Sequence, residues 1–148
     1  MRAARREDVA DIVRLLADDG LGAGRETLSD PPLPAYYAAF EEIAANPRAL
    51  LAVAEDGAGQ VIGTLQLTFI AGLSNQGAEL ALVSAVRVDS VLRGQGLGEQ
   101  MMAWAMDEAR RRGCRNIELF THLSRVDAQR FYQRLGFVRS HAGMRRAL

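Results

Sequence analysis

The chain has 148 residues, 49% hydrophobic and 24% charged, with 18 basic residues balanced by 18 acidic ones. A formal net charge of zero argues against a protein that coats nucleic acid. No apolar run approaches the roughly 18 residues of a membrane span, so the sequence predicts one soluble domain, residues 1–148, with a single core.

In chain order, MRAA reads as a short extended segment. EDVADIVRLLADDG places Val9, Ile12, Val13 and Leu16 at helical spacing and ends at Gly20, which predicts a helix stopped by that glycine. Leu21 to Pro32 carries Gly, Ser, Asp and Pro and predicts a loop. PAYYAAFEEIAAN opens on Pro34, a residue suited to the first helical position, and closes before Asn46-Pro47. ALLAVAE and VIGTLQLTFI, joined across DGAG, predict an antiparallel hairpin, and AGLSNQGAE a loop. LALVSAVRV is almost continuously apolar and predicts a strand covered on both faces. GLGEQMMAWAMDEARRRG has the clearest helical pattern: Leu97, Met101, Trp104 and Ala105 share a face, Arg110 to Arg112 suit the negative end of the dipole, and Gly113 ends it. NIELFT predicts a strand, DAQRFYQRLGF a short helix stopped by Gly136, and FVRSHAGMRRAL a last extended segment. The order βααββ, βαβ, αβ predicts an α/β fold, a mixed sheet with helices on both faces.

All 18 basic residues are arginine, whose planar fork of donors suits phosphate. The lone Cys114 cannot form an internal disulfide and has no ligand partners at metal spacing, which predicts a reducing, cytoplasmic setting and no metal site. MRAARREDVADIV lacks the uninterrupted apolar core and cleavage site of a secretory signal.

The informative stretch is LRGQGLGEQMM. A strand, a glycine-rich loop and a long helix deliver several backbone N–H groups to the positive end of a helix dipole, an anion site in waiting. A tight turn with no ligand is the plain alternative. A Walker A loop needs Gly-Lys-Ser/Thr, and the chain has no lysine. A dinucleotide fingerprint needs a small residue where Glu99 stands. The remaining pattern, Arg/Gln-x-x-Gly-x-Gly/Ala, is met by Arg93, Gly96 and Gly98, and it resembles the acyl-CoA pyrophosphate loop of the GNAT acetyltransferases. DAQRFYQRLGF resembles that family's second signature, Asn-x-x-Ala-x-x-apolar-Tyr-x-x-x-Gly-Phe, with Ala128, Phe131, Tyr132, Gly136 and Phe137 on the matching positions. The resemblance spans Ala81 to Phe137, and it implies a central mixed, mostly antiparallel sheet.

It also implies transfer of an acetyl group from acetyl-CoA to the primary amine of a small molecule. Such a reaction needs positioning, a donor for the oxyanion, a route for the amine proton and an acid for sulfur. By resemblance, the backbone of Val86 and Val88 would hold the pantetheine arm beside a β-bulge. The loop Arg93, Gly94, Gln95, Gly96, Leu97 and Gly98 would hold the diphosphate. Tyr132 would be the acid, since a phenol of pKa ~10 can protonate a thiolate of pKa ~8.5. Ser84 aligns where many relatives carry a glutamate base; a hydroxyl is no strong base but can orient a water. Glu79, His122 and Asp127 stay open as bases, Asp127 can instead contact Ser124 at a helix start, and the resemblance also implies Asp127, with Arg125, among the cofactor-binding residues. Arg125, where the family often has asparagine, would reach a cofactor phosphate or face solvent.

The acceptor would meet the first two helices and their loop, where Asp18, Asp19, Glu26, Asp30, Tyr36, Tyr37, Phe40, Glu41 and Glu42 suit a cationic amine or form a wet helix face. A homodimer is compatible with the sequence, although pattern alone identifies no face for it. Two other classes stay open. An acyl-CoA-binding or sensory module would bind acetyl-CoA without releasing thiol. A nucleotide-binding domain would be stabilised by ATP or NAD and not by coenzyme A.

Overall fold

The computed structural model describes residues 1–18 and 24–147. The predicted stop at Gly20 and the acidic Asp19 lie outside the described residues. The elements are β1 (Arg2–Ala3), α1 (Val9–Ala17), α2 (Pro34–Ala45), β2 (Ala49–Glu55), β3 (Val61–Ile70), the single turn α3 (Ser74–Gly77), β4 (Leu80–Val88), α4 (Leu97–Arg111), β5 (Asn116–Leu119) and α5 (Val126–Arg134). The sheet has five strands in the order β1-β2-β3-β4-β5. Neighbours are antiparallel except β4 and β5, which run parallel on either side of the α4 crossover.

The predicted elements form where their periodicities place them, with two corrections: AGLSNQGAE, expected to be a loop, holds the single turn α3, and the end of the chain also departs. The last segment, expected to be extended, contributes no strand among the described residues. After Gly136, which takes φ +89, the chain leaves α5, and Val138 and Met144 stay 82% and 97% exposed. FVRSHAGMRRAL has no alternation of apolar and polar residues that could bury one face, so nothing draws it onto the short β5 edge.

Two apolar clusters hold the layers together. On one face Leu65, Leu67, Phe69, Ala81 and Val83 meet Met101, Met102, Ala105 and Ala109 of α4, with Phe131, Tyr132 and Phe137 packed at the margin. On the other face Val53 and Val61 meet Ile12 and Leu15 of α1. Burying a side chain such as Leu65 or Phe69 stabilises by about 1.5–3 kcal/mol, so the central strands anchor both layers. Arg2 ties the amino terminus down: it donates to both carboxylate oxygens of Asp8, at 2.6 and 2.9 Å, and to Glu55.

Candidate active site

The site begins where the two parallel strands part. β5 pairs with Leu80 to Val83 of β4, whereas β4 runs on to Val88 beside β3 alone. Thr64 faces Arg87 and Gln66 faces Ser84, so β4 holds one residue more than β3 over this interval. The extra residue is a β-bulge at Ala85, whose φ of +52 lies in the left-handed region. Asp89 N–H bonds Ile62 O on β3. Its neighbour Val88 therefore turns its own N–H and C=O away from β3, toward the opening.

The loop after β4 is braced from α1. Asp89 caps the turn Ser90–Leu92 through Val91 N–H and receives Arg14 at 2.8 Å, which holds its carboxyl below the usual range. Asp18 accepts from Ser90 N–H and from Arg93. Arg93 also donates through Nε to Val88 O at 3.1 Å, so its guanidinium lies along the loop.

The three glycines serve different ends. Gly94 and Gly96 take φ +77 and +85, and a Cβ built on either would meet no atom within 4 Å. Gly96 is the N-cap of the 15-residue α4, and no side chain caps that end. The first amides of α4 thus sit at a positive helix terminus, next to a glycine that presents backbone with no side chain in front of it. Gly98 has an ordinary φ, and a Cβ there would lie 3.3 Å from Cζ of Phe131. Its absence lets α5 pack across the start of α4.

That packing places Tyr132. Phe131 lies over Gly98, and Tyr132 stands edge-on between Phe131 and Phe137, with centroids 5.1 and 5.8 Å away. Burial pushes the Tyr132 phenol above its ordinary range, and Arg125 and Arg87 pull it partly back. The hydroxyl therefore stays protonated at neutral pH, as an acid must.

The other predicted residues separate. Val86 and Val88 line the opening with the bulge, and Ser84 is exposed at its edge. Arg125 is half-buried at the start of α5, in the field of Tyr132. Asp127 stands in solvent with its side chain 99% exposed, and Ser124 pairs with His122 instead of capping α5. Glu79 precedes β4 at the opposite end of that strand and is engaged by Arg48 and Arg112. Neither carboxylate meets Tyr132. On the acceptor side, Tyr36 donates to Glu26 at 2.9 Å, and Arg6 stacks on Tyr37. Sequence reading missed Arg87. It occupies the middle of an apolar run, and only the strand register shows which way it points. Among the described residues no group of three or more His, Cys, Asp or Glu could hold a metal ion, and no helix is long and apolar enough to cross a membrane.

A bulged strand that outruns its parallel neighbour, a helix start with no side-chain cap behind a glycine loop, and a protonated tyrosine beside the ring that covers Gly98 make up the candidate site. Residues 11–137 match the acetyltransferase (GNAT) family, and the chain belongs to it. A glucosamine 6-phosphate N-acetyltransferase of Oryza sativa is 31% identical over 141 residues, which cover 93% of this chain and 81% of that protein. An aminoalkylphosphonate N-acetyltransferase of Salmonella typhimurium is 47% identical over 57 residues, 38% of this chain and 37% of that relative. The crystal structure of a protein titled a transcriptional regulator, from Bacillus halodurans, superposes with a TM-score of 0.96 at 41% identity, covering 99% of this chain and 97% of that one.

Proposed function

We propose that this protein moves an acetyl group from acetyl-CoA to the primary amine of a small molecule by direct attack, with Tyr132 as the acid. Tyr132 carries the reading: a half-buried, protonated phenol on α5, packed between Phe137 and Phe131, whose ring covers Gly98, and in the field of Arg87. The coenzyme fits the residues present. The amides at the start of α4 and the bare backbone of Gly94 and Gly96 would take its diphosphate, and Val88 would offer its outward N–H to the pantetheine arm.

In the reaction the amine nitrogen bonds the acyl carbon and the carbon–sulfur bond breaks. The nitrogen gives up a proton, and the departing sulfur receives one from Tyr132. No carboxylate of this chain that the sequence put forward as a base stands at Tyr132, so the amine proton would leave through water that Ser84 orients. The relatives named above act, by their names, on glucosamine 6-phosphate and on aminoalkylphosphonates, small amines that also carry a phosphorus oxyanion. The amine is the part the reaction requires.

The test is thiol release from acetyl-CoA by purified protein across a panel of small amines. Turnover with at least one amine is the expected result. Tight acetyl-CoA binding with silence across a broad panel would replace the enzyme with a binding module, the reading that Ser84 at the base position favours.

A further inference from the structure

The coenzyme loop meets α1 through two crossed pairs of opposite charge. Arg14 and Asp18, four residues apart at the end of α1, share one face of the helix. Asp89 and Arg93 stand on either side of the turn Ser90–Leu92. Arg14 donates to Asp89 at 2.8 Å, and Arg93 donates to Asp18 at 3.1 Å. The signs run plus, minus along α1 and minus, plus along the loop, so each charge meets its opposite.

The two pairs hold different parts of the loop. Arg14 also donates to Val61 O at 3.1 Å, which ties Asp89 to the sheet. Asp18 reaches further. Its carboxylate accepts from Ser90 N–H at 3.0 Å, and its carbonyl accepts from Arg93 at 2.5 Å. Arg93 in turn donates through Nε to Val88 O at 3.1 Å. Asp18 thus fastens both ends of the segment from Ser90 to Arg93. Directly beyond lie Gly94 and Gly96, both at positive φ, and an α4 start with no side-chain cap. Glycine gives a loop more conformations to lose on binding, so what fixes the residues before it governs how ready those amides are.

We propose that Asp18 is a positioning residue for the coenzyme loop. It touches no part of the coenzyme; by holding Ser90 N–H and the Arg93 guanidinium it presets the course of the loop toward the amides of α4, so acetyl-CoA meets a loop already ordered. This rests on the acetyltransferase reading above. Charge alone predicts the opposite effect, because a carboxylate repels a diphosphate, and the sign of the change in affinity decides between them.

The test is titration calorimetry of the full chain with acetyl-CoA. Asp18→Ala should weaken binding about 5- to 20-fold, the scale of losing one charge-assisted brace on a partly exposed loop. Asp18→Asn keeps an oxygen for Ser90 N–H and should stay within about threefold of the wild type. With Arg93→Gln as the background, Asp18→Ala should cost less than about threefold, since its charged partner is already gone. An alanine variant that binds as tightly as the wild type, or more tightly, overturns the proposal. So does an asparagine variant as weak as the alanine one, or a loss that is undiminished in the Arg93→Gln background. A wild type without affinity for acetyl-CoA overturns the acetyltransferase reading itself, whereas a wild type that binds, with unaffected variants, overturns the role of Asp18 alone. A thermal melt checks each fold. Asp18→Ser, whose hydroxyl ends one bond short of the carboxylate oxygens, replaces the alanine variant if that one does not fold.

Discussion

Replacing Gly96 with alanine tests the glycine corner through stability and affinity together. Gly96 has φ +85 and ψ −7 and caps α4 from a left-handed conformation. Forcing an L-residue there costs about 1–2 kcal/mol, and alanine caps less well than glycine by a few tenths more. Alanine also narrows the unfolded ensemble, which returns about 0.4–1 kcal/mol. Nothing lies within 4 Å of the new Cβ, so no clash adds to the sum. The net loss should be about 1 kcal/mol, a fall in Tm of roughly 2–4 °C for a chain of this size. Urea unfolding and a thermal melt measure it. The same methyl would stand before the amides of α4, so acetyl-CoA should raise the variant's Tm far less than the wild type's. A variant as stable as the wild type, with an undiminished shift from acetyl-CoA, would refute both the strain and the location of the diphosphate.

Tyr132→Phe should lower kcat about 100-fold and leave acetyl-CoA affinity within about twofold, because it removes one hydroxyl from the leaving group's side. Since the phenol's pKa is raised, its loss of a proton should not depress wild-type turnover until above pH 10; equal turnover in the variant removes Tyr132 from the mechanism. Asp8→Asn should cost about 2 kcal/mol at pH 7, because the Asp8 carboxylate is nearly enclosed and takes two bonds from Arg2 and one from Arg5 N–H. Arg2 depresses the folded pKa of Asp8, so this stability is present above the ordinary value near 3.8 and is lost as pH falls through the lower folded value. The gap between variant and wild type in urea melts should therefore shrink as pH falls below 4, and a gap unchanged from pH 7 down to pH 2 would contradict the ion pair.

The sequence was readable where one periodicity dominated. The α4 pattern predicted Met101 and Ala105 as buried, and both are fully so. The hairpin from Ala49 to Ile70 follows from two apolar runs across a short turn. The glycine loop was visible as a motif, but its members were not separable. Gly96 answers to a positive φ and Gly98 to a ring packed over it, and only the fold brings Phe131 there. The bulge was implied only by the family resemblance, because alanine does not announce a left-handed conformation. Arg87 was hidden by the same strand pattern that made β4 recognisable. Charge alone does not mark a base: Asp127 and Glu79 are acidic and near the motifs in sequence, yet one faces solvent and the other is engaged by arginines at the far end of β4. The tail after Gly136 is weakly patterned, and a strand needs a partner edge and a face to bury as well as an extended chain.

The acetyltransferase reading requires backbone amides between Arg93 and Gly98 to grip the diphosphate of acetyl-CoA. Titration calorimetry of the wild-type protein with acetyl-CoA and with S-acetylpantetheine, which shares the thioester arm and lacks the phosphates, isolates that grip. A Kd for acetyl-CoA at least ~100-fold tighter is the predicted result, since several charge-assisted bonds are at stake. Equal affinity for the two thioesters would contradict it.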